Sequence, residues 1–77
     1  MVRELNVIAQ EIKADWGAKV NYGAVPYLDA MTQLSTIDDR YYDDTADSVV
    51  RYFLCNANTW RGEVARRVKK ELNQILK

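Results

Sequence analysis

The sequence predicts an all-α fold: one domain, residues 1–77, in which four helices, one of them short, pack as a compact bundle without a sheet. Three observations support this prediction. Four segments carry apolar residues at the spacing of three and four positions that marks one face of a helix. No segment shows the alternation of apolar and polar residues that is typical of a half-buried strand. The chain of 77 residues is also too short for two domains.

The first two helices are indicated by their apolar spacing and by the residues that bound them. The first is predicted for residues 2–16, and Gly17 ends it. Its apolar positions lie in one narrow arc: Val2, Leu5, Ile8, Ala9, Ile12 and Trp16. Pro26 suits the first turn of the second helix, predicted for residues 26–35. The apolar positions of that helix are Tyr27, Ala30, Met31 and Leu34.

The third and fourth helices follow an acidic segment. The third is predicted for residues 44–57, with Asp43 or Asp44 as its N-cap. It has the most regular apolar stripe in the chain: Ala46, Val49, Val50, Phe53, Leu54 and Ala57. Cys55 lies opposite this stripe, so we expect it to lie away from the core. The fourth is predicted for residues 60–76, with Thr59 as its N-cap. Its buried side would comprise Trp60, Val64, Val68, Leu72 and Ile75.

The charged residues are balanced in number but segregated along the chain. The sequence has 11 basic and 11 acidic residues. Residues 29–50 hold six aspartates and one arginine, a local charge of −5, whereas residues 51–77 have a local charge of +5. This segregation is typical either of a charged partner or of two halves that neutralise each other in the fold.

The residue types exclude several kinds of chemistry. The chain has no His and one Cys, which excludes a zinc site and an internal disulfide. A calcium loop that started at Asp38 or Asp39 would place Val49 or Val50 where the bidentate Glu belongs. No nucleophile has a His to act as its base. We therefore expect a protein that is not an enzyme and that binds no metal and no cofactor.

The single cysteine and the absence of a long apolar run also bear on location. One cysteine favours a reducing compartment. The N-terminal stretch MVRELNVIAQEIKADW is amphipathic rather than typical of a signal peptide. The sequence thus predicts a cytoplasmic protein without a membrane partner.

The acidic segment DDRYYDD has two interpretations. Its aspartates can solvate a turn and then cap and charge the start of the third helix. Alternatively, its tyrosines can anchor a protein partner, because aromatic residues are enriched at the centres of interfaces. The cap does not account for two adjacent tyrosines, so we treat the segment as a candidate partner-binding site. Its residues are Asp38, Asp39, Tyr41, Tyr42, Asp43 and Asp44.

The basic fourth helix is the alternative site. A nucleic-acid-associated module would use the charges of Arg66, Lys69, Lys70 and Lys77. However, Glu63 and Glu71 each lie four residues from Arg67, which is typical of an ordinary solvated helix face. A third alternative is a structural subunit that self-assembles, so the chain is expected to be a monomer or a homodimer.

Arg61 does not fit the fourth helix well. It falls within the predicted apolar arc and in the first turn, where a positive charge is disfavoured. We therefore expect a structural ion pair between Arg61 and a carboxylate of the acidic segment, which would join the two oppositely charged halves.

The stretch SVVRYFLCNANTWRGEVARRVKKELNQIL resembles a group of small, uncharacterised phage and prophage proteins. The shared features are TWRG leading into AR and a basic KKEL, together with PYLDAM and an acidic, tyrosine-bearing stretch upstream. The resemblance spans residues 26–76 and transfers no functional residue. It implies an accessory protein of a phage or mobile element that binds a host protein. Such accessory proteins include inhibitors of defence systems such as CRISPR nucleases.

Overall fold

A computed structural model describes residues 3–76 of the chain. Four helices form most of it: α1 (Leu5–Trp16), α2 (Val25–Met31), α3 (Ala46–Cys55) and α4 (Glu63–Leu76). Two short 3₁₀ segments, Gly17–Lys19 and Tyr22–Ala24, connect α1 to α2. Two strands of two residues each, β1 (Arg40–Tyr41) and β2 (Asp44–Thr45), form an antiparallel hairpin before α3.

The prediction of four helices, one of them short, is therefore confirmed, but the prediction that the chain lacks a sheet is wrong. The hairpin was missed because two-residue strands are too short to show a period of two. Each helix is also shorter than predicted. The part of the first predicted helix that includes Val2 lies outside the described residues.

The helix faces follow the predicted apolar stripes. In α1, Leu5, Ile8, Ala9, Ile12 and Trp16 are all buried. In α3 and the turn after it, Ala46, Val49, Val50, Phe53 and Ala57 are buried, whereas Leu54 is half-buried. In α4, Val68 and Leu72 are buried as predicted, whereas Val64 and Ile75 are half-buried. Cys55 is exposed, as expected from its position opposite the stripe.

An aromatic cluster joins α1, α3 and the segment that precedes α4. The Trp16 and Trp60 rings stack with centroids 5.6 Å apart, and Phe53 meets both rings edge-on at 6.2 and 6.4 Å. The Trp60 indole N–H donates to the Asp15 carboxylate over 2.8 Å, which satisfies its one polar atom. Trp60 therefore contributes to the core without being part of a helix.

The start of α1 is capped by the chain that follows α2. The backbone N–H groups of Leu5 and Asn6 donate to the carbonyl oxygens of Ser35 and Leu34, over 2.9 and 2.8 Å. Glu4, the residue at the N-cap position, makes no side-chain cap. These hydrogen bonds satisfy N–H groups that a helix terminus leaves without partners. They also hold the residues just before the acidic segment against the start of α1.

Ion pairs hold α1 against α4. Arg3 donates to Glu71 over 2.9 and 2.6 Å and to Glu11 over 2.8 Å, and Arg67 contacts the other oxygen of Glu11. Hydrogen bonds from Arg67 and Arg3 hold the pKa of Glu11 below its usual range, and the bond from Arg3 does the same for Glu71. In the described part of the chain, only one ion pair, within α3, joins the two oppositely charged halves of the sequence. Arg67 and Glu71 bind residues near the N-terminus instead.

Candidate docking surface

The candidate surface is built on the turn of Ser35–Asp39. The Asp39 carboxylate accepts hydrogen bonds from the backbone N–H groups of Ser35 and Thr36, over 2.8 and 3.1 Å, and from the Thr36 hydroxyl over 3.2 Å. These bonds hold the pKa of the Asp39 carboxyl below its usual range. The Asp39 backbone carbonyl accepts from the N–H of Ala46 over 2.8 Å. Asp39 therefore organises the hairpin, and its carboxylate oxygens are already engaged.

The hairpin pairs Arg40 with Thr45 and Tyr41 with Asp44. Its two-residue turn consists of Tyr42 and Asp43. Tyr42 has φ = 57°, a left-handed conformation that few residues with a side chain adopt. The hairpin turn thus imposes an unfavourable backbone conformation on a bulky residue.

The two tyrosines have different environments. Tyr41 is half-buried and packs against the hydrophobic core, whereas Tyr42 is 84% exposed. Their rings meet nearly at right angles, 82°, with centroids 4.7 Å apart. Tyr41 thus packs between the core and the ring of Tyr42, and Tyr42 is the aromatic group that a partner can reach.

The remaining aspartates divide between the exposed surface and the helix. Asp38, Asp43 and Asp44 are exposed. The prediction that Asp43 or Asp44 caps α3 is wrong: Thr45 is the N-cap, and its hydroxyl accepts from the N–H of Ser48 over 3.4 Å. The helix begins two residues after Asp44, so Thr45 occupies the N-cap position. We refer to the exposed residues Asp38, Arg40, Tyr42, Asp43 and Asp44 as the hairpin tip.

Asp47 also belongs to the helix start rather than to the hairpin tip. The Thr45 hydroxyl donates to the Asp47 carboxylate, and this bond is the main reason why the pKa of Asp47 lies below its usual range. Arg51, one turn further along α3, lies 3.8 Å from the same carboxylate. Asp47 thus stabilises the positive end of α3.

The ion pair expected for Arg61 is not formed. Arg61 is exposed, and within residues 3–76 it lies beyond 4.0 Å from every carboxylate oxygen. The prediction assumed that α4 starts at residue 60, whereas it starts at Glu63 and Arg61 precedes it. The expected cap by Thr59 is likewise absent. At the start of α4, the backbone N–H of Arg66 donates to the carbonyl oxygen of Gly62 over 3.0 Å.

Only two of the four residues predicted to form a basic face on α4 line a common groove in the described part of the chain. Arg66 and Lys69 line one groove together with Trp60 and Arg61. Lys70 is exposed on α4 and does not line that groove. Lys77 lies outside the described residues. From the sequence, Arg61 was expected to pair with a carboxylate of the acidic segment. That expectation missed that Arg61 lines the same groove as Arg66 and Lys69.

Within residues 3–76, no group of three or more His, Cys, Asp or Glu side chains is arranged to hold a metal ion. None of the helices described there is long and apolar enough to cross a membrane.

Comparison of the chain with protein-family models, with curated proteins and with solved structures found no match.

Proposed function

We propose that this chain is a small protein-binding protein without catalytic activity, which docks through the hairpin tip onto a basic surface of a partner protein. The observation that carries the proposal is Tyr42, a ring that is 84% exposed on a backbone with φ = 57°. A left-handed conformation costs a residue with a side chain about 1–2 kcal/mol. Because the ring is so exposed, burial does not offset this cost. A role in binding a partner accounts for this unfavourable conformation, whereas stabilisation of the fold does not.

The surroundings of Tyr42 suit an interface. Tyrosine offers a large contact area with only two side-chain torsions, so it loses little entropy when a partner immobilises it. The hairpin tip also has the exposed carboxylates of Asp38, Asp43 and Asp44, and Arg40 leaves it with a formal charge of −2. A negative surface around an aromatic anchor accelerates association with a basic partner and disfavours an acidic one.

The hairpin tip is also fixed before binding. The Asp39 hydrogen bonds hold the turn at its base, and α3 begins directly after β2. A preorganised loop loses less conformational entropy on binding than a flexible one. The narrower form of the proposal, in which the partner is a host defence protein that the chain inhibits, rests on the resemblance to phage proteins.

The test compares two exposed tyrosines. Tyr42→Gly removes the proposed anchor and also relieves the left-handed backbone, so the variant should melt at the same temperature as wild type or higher. Tyr22→Ala is the matched control, because Tyr22 is 91% exposed and lies in the connection between α1 and α2. Affinity capture identifies the retained protein, and titration calorimetry with the purified partner then gives the dissociation constants.

We expect Tyr42→Gly to weaken binding about tenfold or more, as is typical of an aromatic anchor, while Tyr22→Ala binds as wild type does. Higher salt should slow association of the wild type with its partner. Equal binding by wild type and Tyr42→Gly would contradict the proposal, as would failure of the wild type to retain any protein.

A further inference from the structure

A groove at the start of α4 collects cationic side chains from two parts of the chain. It has a volume of about 320 Å³, and its lining residues are Trp60, Arg61, Gly62, Ala65, Arg66 and Lys69. Arg61 and Arg66 are exposed, and Lys69 is half-buried. The lining contains no acidic side chain. We refer to this feature as the cationic groove.

The cationic side chains of the groove have no carboxylate partners, in contrast to four other basic residues of the described chain. The basic residues that pair with a carboxylate are Arg3, Lys13, Arg51 and Arg67. In the described part of the chain, Arg61, Arg66 and Lys69 have no carboxylate oxygen within 4.0 Å. Three like charges around one concave surface repel one another, and this repulsion opposes folding. An anion in the groove would remove that penalty.

Lys69 shows the effect of this environment. Its amine donates to the Trp60 carbonyl oxygen over 2.6 Å and lies 5.9 Å from the centre of the Trp60 ring. Burial, and then the charge of Arg61, lower the pKa of Lys69. The bond to Trp60 fixes the amine on the groove wall and leaves two of its three N–H groups for another acceptor.

The backbone adds to the positive potential. The groove includes the residues that lead into α4, a helix of 14 residues whose N-terminus carries partial positive charge. A second groove, on the other side of Arg61, is lined in part by Lys19 and also by Asp15. The Asp15 carboxylate is engaged by the Trp60 indole. The cationic groove therefore differs from the second groove in having three cationic side chains and no carboxylate in its lining.

We propose that the cationic groove binds a phosphate group. Two guanidinium groups can each donate two parallel hydrogen bonds to phosphate oxygens, and an ammonium group supplies a third charge. Trp60 is 2% exposed, so its ring is not available to stack on a base, and recognition is directed to the phosphate itself. The phosphate can belong to a small pyrophosphate-bearing ligand or to a nucleic-acid backbone. The site is separate from the hairpin tip and does not depend on it.

The experiment uses the full chain with two probes, inorganic pyrophosphate and a short DNA duplex. Binding is followed by calorimetry and by NMR shifts of backbone amides. The test variant is Arg61→Gln combined with Arg66→Gln, two exposed positions where the substitution retains much of the side-chain volume. Lys70→Gln is the matched control on α4 outside the groove. Thermal melting of each variant verifies that it folds.

We expect pyrophosphate to shift the amides of residues 61–69, and the double variant to lose about tenfold or more in affinity while Lys70→Gln binds as wild type does. Tighter binding of DNA, with the same loss and with affinity that falls steeply with salt, would assign the phosphate to a nucleic-acid backbone. Binding of pyrophosphate alone would assign it to a small ligand. Tyr42→Gly should bind both probes normally.

Two results would overturn this proposal. One is that neither probe binds. The other is that Lys70→Gln weakens binding as much as the double variant does, because the attraction would then come from the diffuse charge of α4 and not from a site.

Discussion

At the scale of single residues, the neighbours Tyr41 and Tyr42 show how a tight turn divides roles between identical side chains. The first is half-buried against the core, and the second is 84% exposed. Tyr41 is the last residue of β1, whereas Tyr42 belongs to the turn. The turn that starts at Tyr42 adds the left-handed conformation. Removing both rings together would therefore combine loss of core packing with loss of the docking surface, whereas changing Tyr42 alone separates the two effects.

Asp39 gives a prediction for pH at the same scale. Its pKa is lower in the folded state than its ordinary value of 3.8, because backbone N–H groups of Ser35 and Thr36 donate to the ionised carboxylate. Its contribution to stability is therefore present above the unfolded pKa and is lost as the pH falls through the folded pKa. Asp39→Asn should melt at a lower temperature than wild type at pH 7 and should lose less stability than wild type below about pH 4.

Melting curves between pH 7 and pH 2 measure this difference. Asp38→Asn is the control, because Asp38 is exposed and its carboxylate accepts none of the three hydrogen bonds that Asp39 receives. If Asp39→Asn lost stability in acid as steeply as wild type, the carboxylate would not be the group that holds the turn.

At the scale of elements, the N-cap of α3 links the hairpin to the core. Thr45 is the last residue of β2 and the N-cap of α3, so the same residue ends the strand and satisfies a helix N–H group. Thr45→Ala should lower the free energy of unfolding by about 1 kcal/mol, the usual cost of a lost cap. Thr59→Ala should change it by less than about 0.5 kcal/mol, because Thr59 is exposed and does not cap α4.

Urea unfolding of the two variants, followed by circular dichroism, tests this pair. Equal losses at the two threonines would show that the hydroxyl of Thr45 has no special role at the start of α3.

The contact between α1 and α4 is a second feature at this scale. Arg3 engages Glu71 through two nitrogens and also reaches Glu11, which Arg67 contacts in turn. An arginine that donates to one carboxylate through two nitrogens is held more specifically than a single surface pair. The sequence also allows Arg67 and Glu71 to pair with each other within α4, but in the structure each binds a residue near the N-terminus. Within residues 3–76, Arg66 and Lys69 of the same helix have no carboxylate oxygen within 4.0 Å.

At the scale of the whole molecule, stability depends on a small core with Phe53 among its largest fully buried side chains. Phe53 touches both tryptophans, and so connects α3 to α1 and to the segment before α4. Phe→Ala changes in cores cost about 3–5 kcal/mol. A core of this size supplies about 3–5 kcal/mol in total. Phe53→Ala should therefore be largely unfolded at 25 °C.

The neighbouring residue provides the control. Tyr52 is 54% exposed and stacks on Tyr27 at the surface, with ring centroids 5.4 Å apart. Tyr52→Ala should keep the helical circular dichroism and a cooperative melting curve, while Phe53→Ala should lose both. A cooperative transition for Phe53→Ala within a few degrees of wild type would show that the three rings do not hold the core together.

The sequence by itself determined the four helices and most of their buried faces, because an amphipathic period is a local property of consecutive residues. The tertiary structure alone decided the features that depend on distant partners. The hairpin needs the N–H of Ala46 to meet the carbonyl oxygen of Asp39, and no periodicity reports that bond. The carboxylate partners of Arg3 and Arg67 are set by how α1 lies on α4. Arg61 joins Arg66 and Lys69, and not the acidic segment, because α4 begins three residues later than its apolar spacing indicates.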